Sequence, residues 1–237
     1  MKIGIVTIYN VPNYGAILQA YSLAEYLRRE GHEVVLFNVD SPKRHPYIYK
    51  LKRLFKLGFI DKFQQRNYPA ITSNLNEEVD IYMVGSDQVW NIEITQADYD
   101  KYFLAFALHN RKVSYAASFG NNEWDFPSKR NEIRGFLSAF KYITVREEMG
   151  VNILKDEFNM KGNCVLDPCF LLDGNDFLFG KIIESKKILV SYKLSYDRFY
   201  DLELRKLGKM LGCKVNRLRY KYVSSLPNCK DLNVGYC

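Results

Sequence analysis

The sequence predicts an α/β fold with a parallel sheet, and three stretches carry that expectation. Lys2–Tyr9 (KIGIVTIY) is a short run rich in Ile and Val, the composition of a strand buried on both faces. Residues 16–29 then place Ile17, Ala20, Tyr21, Ala24 and Leu27 at the i, i+3, i+4 spacing of one buried helix face. His32–Val39 (HEVVLFNV) is a second apolar run. Strand, helix and strand in so short a span make a βαβ unit, which needs parallel strands with both faces covered. The chain has 237 residues, which suits one large or two modest α/β domains. Residues 1–175 read as a Rossmann-like N-terminal domain, and 186–237 as the start of a second Rossmann-like domain.

The remaining elements follow in order. Gly31 closes the first helix as a C-terminal cap. Residues 40–78 read as an irregular basic insertion or flap, with weak helical segments at 49–55 and 61–66. Strands are expected over 79–84 and 112–118, a helix over 131–140, a short strand over 142–145, a helix over 147–157 and a strand over 164–166. Asp167-Pro168 reads as a hinge turn, and 173–185 as a linker with its own short helix. The run 187–192, the helix 199–211 closed by Gly212 and the run 214–218 then repeat the opening pattern. One βαβ unit cannot cover both sides of its sheet, so an exposed apolar face and self-association through it are expected there.

Composition excludes several classes. At 47% hydrophobic the chain can build a core, and its 18 Tyr suit core packing or wet pocket walls. Net charge is +7, from 34 basic and 27 acidic residues, dispersed except for Lys50–Lys56 (KLKRLFK). Without a nucleic-acid motif, no nucleic-acid partner is expected. The mild positive field suits an anionic small substrate, a phosphorylated lipid carrier or an anionic membrane surface. Five Cys without CxxC spacing argue against a disulfide framework or a zinc site, so no metal is expected. There is no 18-residue apolar run and the chain opens directly on a strand, so a cytoplasmic protein is expected, with room for peripheral association at the inner face of the membrane.

Ligands of open α/β sheets bind beyond the carboxyl ends of the strands. Three polar loops fall there: Asn10–Gly15, Gly85–Asn91 and Ser118–Asn122. Asn13, Tyr14 and Gly15 stand at a helix N-terminus, where free amides attract anions, although Asn13 equally suits a helix cap. The loop is neither GxGxxG nor a phosphate loop, so the nicotinamide-cofactor fingerprint is missing. Ser86, Asp87 and Gln88 suit sugar hydroxyls, or else a capped turn, and Trp90 reads as core before platform. Arg146 suits an anionic substrate, or a pairing with Glu147, Glu148 or Asp167. None of His32, His45 and His109 has a sequence partner that would make a catalytic triad.

Six stretches in order resemble the polysaccharide pyruvyl transferase family. They are Asn13–Tyr21 (NYGAILQAY), Val84–Asn91 (VGSDQVWN), Tyr102–Leu104, Ser114–Gly120 (SYAASFG), Val145–Glu148 (VREE) and Val165–Pro168 (VLDP). The resemblance implies a glycosyltransferase-B-like two-domain arrangement with an incomplete second domain. It implies transfer of pyruvate from phosphoenolpyruvate to a sugar hydroxyl pair, forming a ketal on a surface glycan or a lipid-linked precursor, with no cofactor. Asn13, Tyr14, Gly15, Ser86, Asp87, Gln88 and Arg146 are the substrate-binding residues expected on these motifs. The family's second domain carries a Ser-Phe-His-Gly stretch whose His is the usual candidate for acid catalysis. No such stretch occurs here and no His follows His109, so the catalytic residue is unassigned and expected beyond this chain. The rival readings are a nucleotide-sugar glycosyltransferase and an inactive, truncated glycan-binding remnant.

Overall fold

The computed structural model describes residues 1–11, 13–40, 58–108, 111–178, 187–193 and 198–219. The helical segment expected at 49–55, the basic cluster 50–56, His45, His109, Cys229 and Cys237 lie outside them. The chain divides into two compact units, Met1–Asp173 and Gly174–Cys237.

The first unit is built on six parallel strands: β1 (Lys2–Val6), β2 (Glu33–Phe37), β3 (Ala70–Thr72), β4 (Ile81–Val84), β5 (Lys112–Ser114) and β6 (Phe140–Tyr142). Their order is β3-β2-β1-β4-β5-β6, so the direction of winding reverses between β1 and β4. In such sheets the crevice beyond the carboxyl ends at the reversal is where ligands bind. Two short strands, β7 (Thr144–Val145) and β8 (Asn163–Cys164), form a separate parallel pair.

Helix α1 (Tyr14–Arg29) begins where its sequence says it should. Asn13 is extended (φ −126°), and its Oδ1 accepts from the Gly15 N–H at 2.9 Å and the Ala16 N–H at 3.4 Å. Arg28 and Arg29 sit in the last turn, where the helix dipole favours cations. The chain then turns at Gly31, φ +81°. The helix buries Ile17, Ala20, Tyr21 and Ala24. A larger apolar cluster includes Phe37, Tyr82, Trp90, Phe103, Ile133, Leu137 and Phe158.

Several expected boundaries move, each for a local reason. The first strand stops at Val6 rather than Tyr9, because the Thr7 hydroxyl turns to donate to the Ser86 carbonyl at 2.7 Å. The strand expected over 112–118 stops at Ser114, because Ala116 adopts φ +57°. After the four-residue helices α3 (Ile92–Thr95) and α4 (Tyr99–Tyr102), the helix expected over 131–140 is α5 (Arg130–Leu137), and Phe140 joins β6 at the sheet edge. The strand expected over 142–145 divides between β6 and β7. Thr144 exchanges hydrogen bonds with Ser114, which pulls the chain across (Thr144 Oγ1 to Ser114 O 2.8 Å; Thr144 N to Ser114 Oγ 2.9 Å). Within the expected irregular stretch 40–78 stand a ten-residue helix, α2 (Gly58–Asn67), and β3, whose three residues are too few to show a period. Helix α6 spans Glu148–Phe158.

The second unit pairs β9 (Ile188–Lys193) with β10 (Lys214–Arg219) in parallel. Its helix, α7 (Arg198–Met210), buries Leu204 and Gly208. On β9, alternate residues Ile188, Val190 and Tyr192 stay 39%, 59% and 46% exposed.

Candidate functional site

The loops after β4, β5, β7 and β8 are laced side by side beyond the main sheet. Asp87 bridges Ala117, and Ala117 bridges Val145, both in parallel. Backbone hydrogen bonds complete the lacing: Ser118 N to Asp87 O (3.1 Å), Arg146 N to Ala117 O (3.0 Å) and Val165 N to Val145 O (2.9 Å). Four polar stretches far apart in sequence thus meet at the end of the sheet, next to the reversal between β1 and β4.

At this junction stands a charged cluster. Arg146 donates through Nε to Glu147 (3.0 Å) and through Nη1 to Asp167 (3.2 Å). Ser86, fully buried, donates from Oγ to the same Asp167 oxygen at 2.9 Å. Asp167 also accepts from the Cys169 N–H at 3.0 Å. Burial alone would raise the Asp167 carboxyl, but the hydrogen bonds from Cys169, Ser86 and Arg146 outweigh it and hold it below the usual range. Burial alone would lower Arg146, and its bonds to Glu147 and Asp167 raise it instead. Burial, with Asp167 beside it, pushes the Cys169 thiol up to about 12, so it stays protonated and is no nucleophile at neutral pH.

Asp87 behaves in the opposite way. Burial raises its carboxyl. The Gln88 N–H and Arg146 pull it down, while Asp167 and Glu147 push it up, and the balance lies above the ordinary value. Its backbone sits at φ +77°, a left-handed conformation that is strained for a residue with a Cβ. Such strain persists only where neighbours hold it, and here the Ser118 and Val89 N–H groups both bond the Asp87 carbonyl.

Trp90 is the floor of this structure and not its lip. It is fully buried, stacked on Phe103 with centroids 5.5 Å apart and planes 7° apart, with Phe119 and Phe140 against it. Its indole N–H donates to the Tyr102 carbonyl at 3.3 Å. The loop after β4 therefore plunges Val89 and Trp90 into the core, which leaves Asp87 and Gln88 half-buried above them.

A family model described as polysaccharide pyruvyl transferase matches residues 13–233. The chain belongs to the polysaccharide pyruvyl transferase family. No curated protein matches it.

Of the expected site residues in this pyruvyl transferase family member, the structure brings Ser86, Asp87 and Arg146 into one cluster, with Gln88 next to Asp87. Asn13 and Gly15 are joined to each other by the helix cap, and Tyr14 is 40% exposed. One chain of hydrogen bonds from α1 toward the cluster runs through Gln19. Gln19 Nε2 donates to Thr7 Oγ1 and to the Ile8 carbonyl, each at 3.0 Å, and Thr7 in turn donates to the Ser86 carbonyl. Gln19 and Thr7 were not read from the sequence as site residues. The available signal was an amide flanked by the apolar positions Ile17, Ala20 and Tyr21 of a buried helix. Asp167, read as part of a hinge turn, is the hub that joins Ser86 to Arg146. Among the described residues no three His, Cys, Asp or Glu side chains are grouped to hold a metal. No helix among them is long and apolar enough to cross a membrane.

The Asp167 bonds make a stability prediction. A carboxyl held below its ordinary value contributes stability above that value and loses it as pH falls through the native one. Asp167→Asn is expected to cost about 1.5–3 kcal/mol at neutral pH, the range for hydrogen bonds to a charged group. The difference from wild type should shrink below about pH 4. Urea unfolding at several pH values measures this, and a cost that stays constant down to pH 3 would refute the assignment.

Proposed function

We propose that this family member transfers the pyruvyl group of phosphoenolpyruvate to two hydroxyls of a surface glycan or its lipid-linked precursor, forming a ketal and releasing phosphate. Family membership supports the reaction class. The observation that carries the assignment of sides is the charge of the cluster. One guanidinium, Arg146, is shared between Glu147 and Asp167, with the carboxyl of Asp87 beside them. Such a set repels a trianion and suits neutral hydroxyls. The first unit is therefore the acceptor side, and the donor side belongs with the second Rossmann-like unit.

In this mechanism Asp87 acts as the base. Its carboxylate takes the proton of the first hydroxyl as that oxygen attacks the central carbon of phosphoenolpyruvate. The methylene carbon gains a proton from the general acid left unassigned in this chain and becomes a methyl group; the proton held by Asp87 replaces it through solvent, so one hydroxyl proton ends on carbon and the other on phosphate. The second hydroxyl closes the ring as the C–O bond to phosphate breaks, and its proton leaves with the phosphate. Arg146, anchored by Asp167, neutralises part of the neighbouring negative charge and pulls the Asp87 carboxyl, raised by burial, back toward its ordinary value. Ser86 and Asp167 fix Arg146. These steps call for neither metal nor cofactor. A lipid-linked acceptor and cytoplasmic phosphoenolpyruvate would place the protein at the inner face of the membrane. The apolar face of β9 supports self-association through the second unit.

The test is phosphate release from phosphoenolpyruvate in the presence of methyl hexopyranosides and lipid-linked oligosaccharides, with the new ketal methyl group read by proton NMR. Release of nucleotide from nucleotide sugars, with none of phosphate from phosphoenolpyruvate, would replace this reading with a glycosyltransferase.

A further inference from the structure

The Gln88 amide stands next to Asp87, and its orientation is set by a backbone donor five residues away. The Glu93 N–H can only donate, so the Asn91 atom it meets at 3.0 Å is the carbonyl oxygen Oδ1. The other end of that planar amide is then Nδ2, which donates to Gln88 Oε1 at 3.1 Å. The acceptor end of Gln88 is thereby used. Its Nε2 makes no hydrogen bond among the described residues and is not sealed from solvent, so it faces solvent or ligand. Gly120 locks the arrangement from below. It sits at φ +77°, and a Cβ there would fall 2.4 Å from Gln88 Oε1 and 2.7 Å from Asn91 Nδ2. Asn91 is buried and also caps the short helix α3 (Ile92–Thr95). It cannot turn without uncapping the Glu93 N–H.

We infer that Gln88 is a specificity-determining residue that presents a fixed N–H donor to an oxygen of the saccharide acceptor, its polarity imposed through Asn91 by the Glu93 N–H. The inference rests on the acceptor-side reading above. A hydroxyl both donates and accepts. In its role as base Asp87 only accepts, and Gln88 Nε2 can only donate. Together the two neighbours complement one neutral hydroxyl. Two acceptors at the same place would favour a protonated amine or a cation. The site is therefore selective for a hydroxyl over an ammonium group at the reacting position.

The decisive variant is Asn91→Asp. One carboxylate oxygen still accepts from the Glu93 N–H, so the cap survives. The other faces Gln88 Oε1 as a second acceptor and forces the amide to turn, which uses Nε2 and leaves Oε1 outward. With methyl hexopyranosides as the probe, KM for the glycoside is expected to rise about tenfold, the scale of one lost hydrogen bond. Because binding and not chemistry is affected, kcat should change far less. Gln88→Glu should give the same shift, and Asn91→Asp should add nothing in a Gln88→Leu background. Unchanged KM in Asn91→Asp, or full additivity with Gln88→Leu, overturns the inference. A second measurement is independent of turnover: solvent exchange of the Gln88 side-chain amide protons by NMR. They should exchange freely in the wild-type protein and become protected in Asn91→Asp. Protection in the wild type, or no change in the variant, also overturns it. A wild-type protein that releases no phosphate from phosphoenolpyruvate sinks the transfer reading alone, and the exchange measurement still decides the orientation of Gln88.

Discussion

Asp87→Asn is expected to lower kcat/KM for pyruvyl transfer by about 10²- to 10⁴-fold, the range that one positioned general base supplies. The substitution keeps the shape of the side chain and can keep the bond from the Gln88 N–H to Asp87 Oδ1, 2.8 Å in the wild type. Asn also tolerates the left-handed backbone at φ +77° better than most residues. The loop should therefore stay folded, and the loss should fall on the chemical step. The pH dependence has a definite sign. The Asp87 carboxyl lies above its ordinary value, chiefly through burial. Transfer by the wild type should rise with pH through an acidic limb placed above the usual carboxylate range near 4, and Asp87→Asn should lack that limb. The same raised value makes the folded state bind the proton more tightly than the unfolded chain. Asp87 thus contributes stability at low pH that is lost as pH rises through its folded value. Asp87→Asn should remove that loss. A variant with wild-type turnover, or one that keeps the same acidic limb, would take the base role away from Asp87.

Trp90→Ala is expected to destabilise the protein by about 3–5 kcal/mol, the scale for truncating a fully buried large aromatic. The residue has no exposed surface and touches three rings, those of Phe103, Phe119 and Phe140. Its removal leaves a cavity under the loop that carries Asp87 and Gln88, and leaves the Tyr102 carbonyl without its indole partner. Since typical domains are stable by only about 5–15 kcal/mol, the variant should unfold at far lower urea. Trp90→Phe keeps much of the apolar contact and should cost less than half as much. A loss below about 1 kcal/mol for Trp90→Ala would mean that the core collapses into the space at little cost. The two variants also separate the two roles of this loop: Asp87→Asn should lose activity and keep stability, and Trp90→Ala should lose stability first.

The opening βαβ unit, the helix bounded by Asn13 and Gly31, and the family resemblance are all legible in the sequence. Each rests on information carried by neighbouring residues. Ile17, Ala20, Tyr21 and Ala24 declare a helix face within three turns, and Asn13 bonds amides only two and three residues on. The six motif stretches are likewise contiguous words. The chemistry of the site is of another kind. Ser86 reaches Asp167 across 81 positions, and Arg146 is 60 from Ser86 and 21 from Asp167. Nothing in the local pattern of Asp167-Pro168 distinguishes a hinge turn from the hub of a charged cluster. The strand order decides it, because placing β4 beside β1 brings Gly85–Asn91 to the reversal of the sheet. Trp90 belongs to both kinds. Its burial was readable as a preference, but that it forms the floor beneath Asp87 and Gln88 required the rings of Phe103, Phe119 and Phe140 in space. The sequence by itself determined the opening strands and the first helix, because burial periodicity is written every two or every 3.6 residues and those segments are long enough to show it. Only the tertiary structure decided which carboxyl is raised and which is lowered, because desolvation and charge act over a few ångströms of space and take no account of distance along the chain.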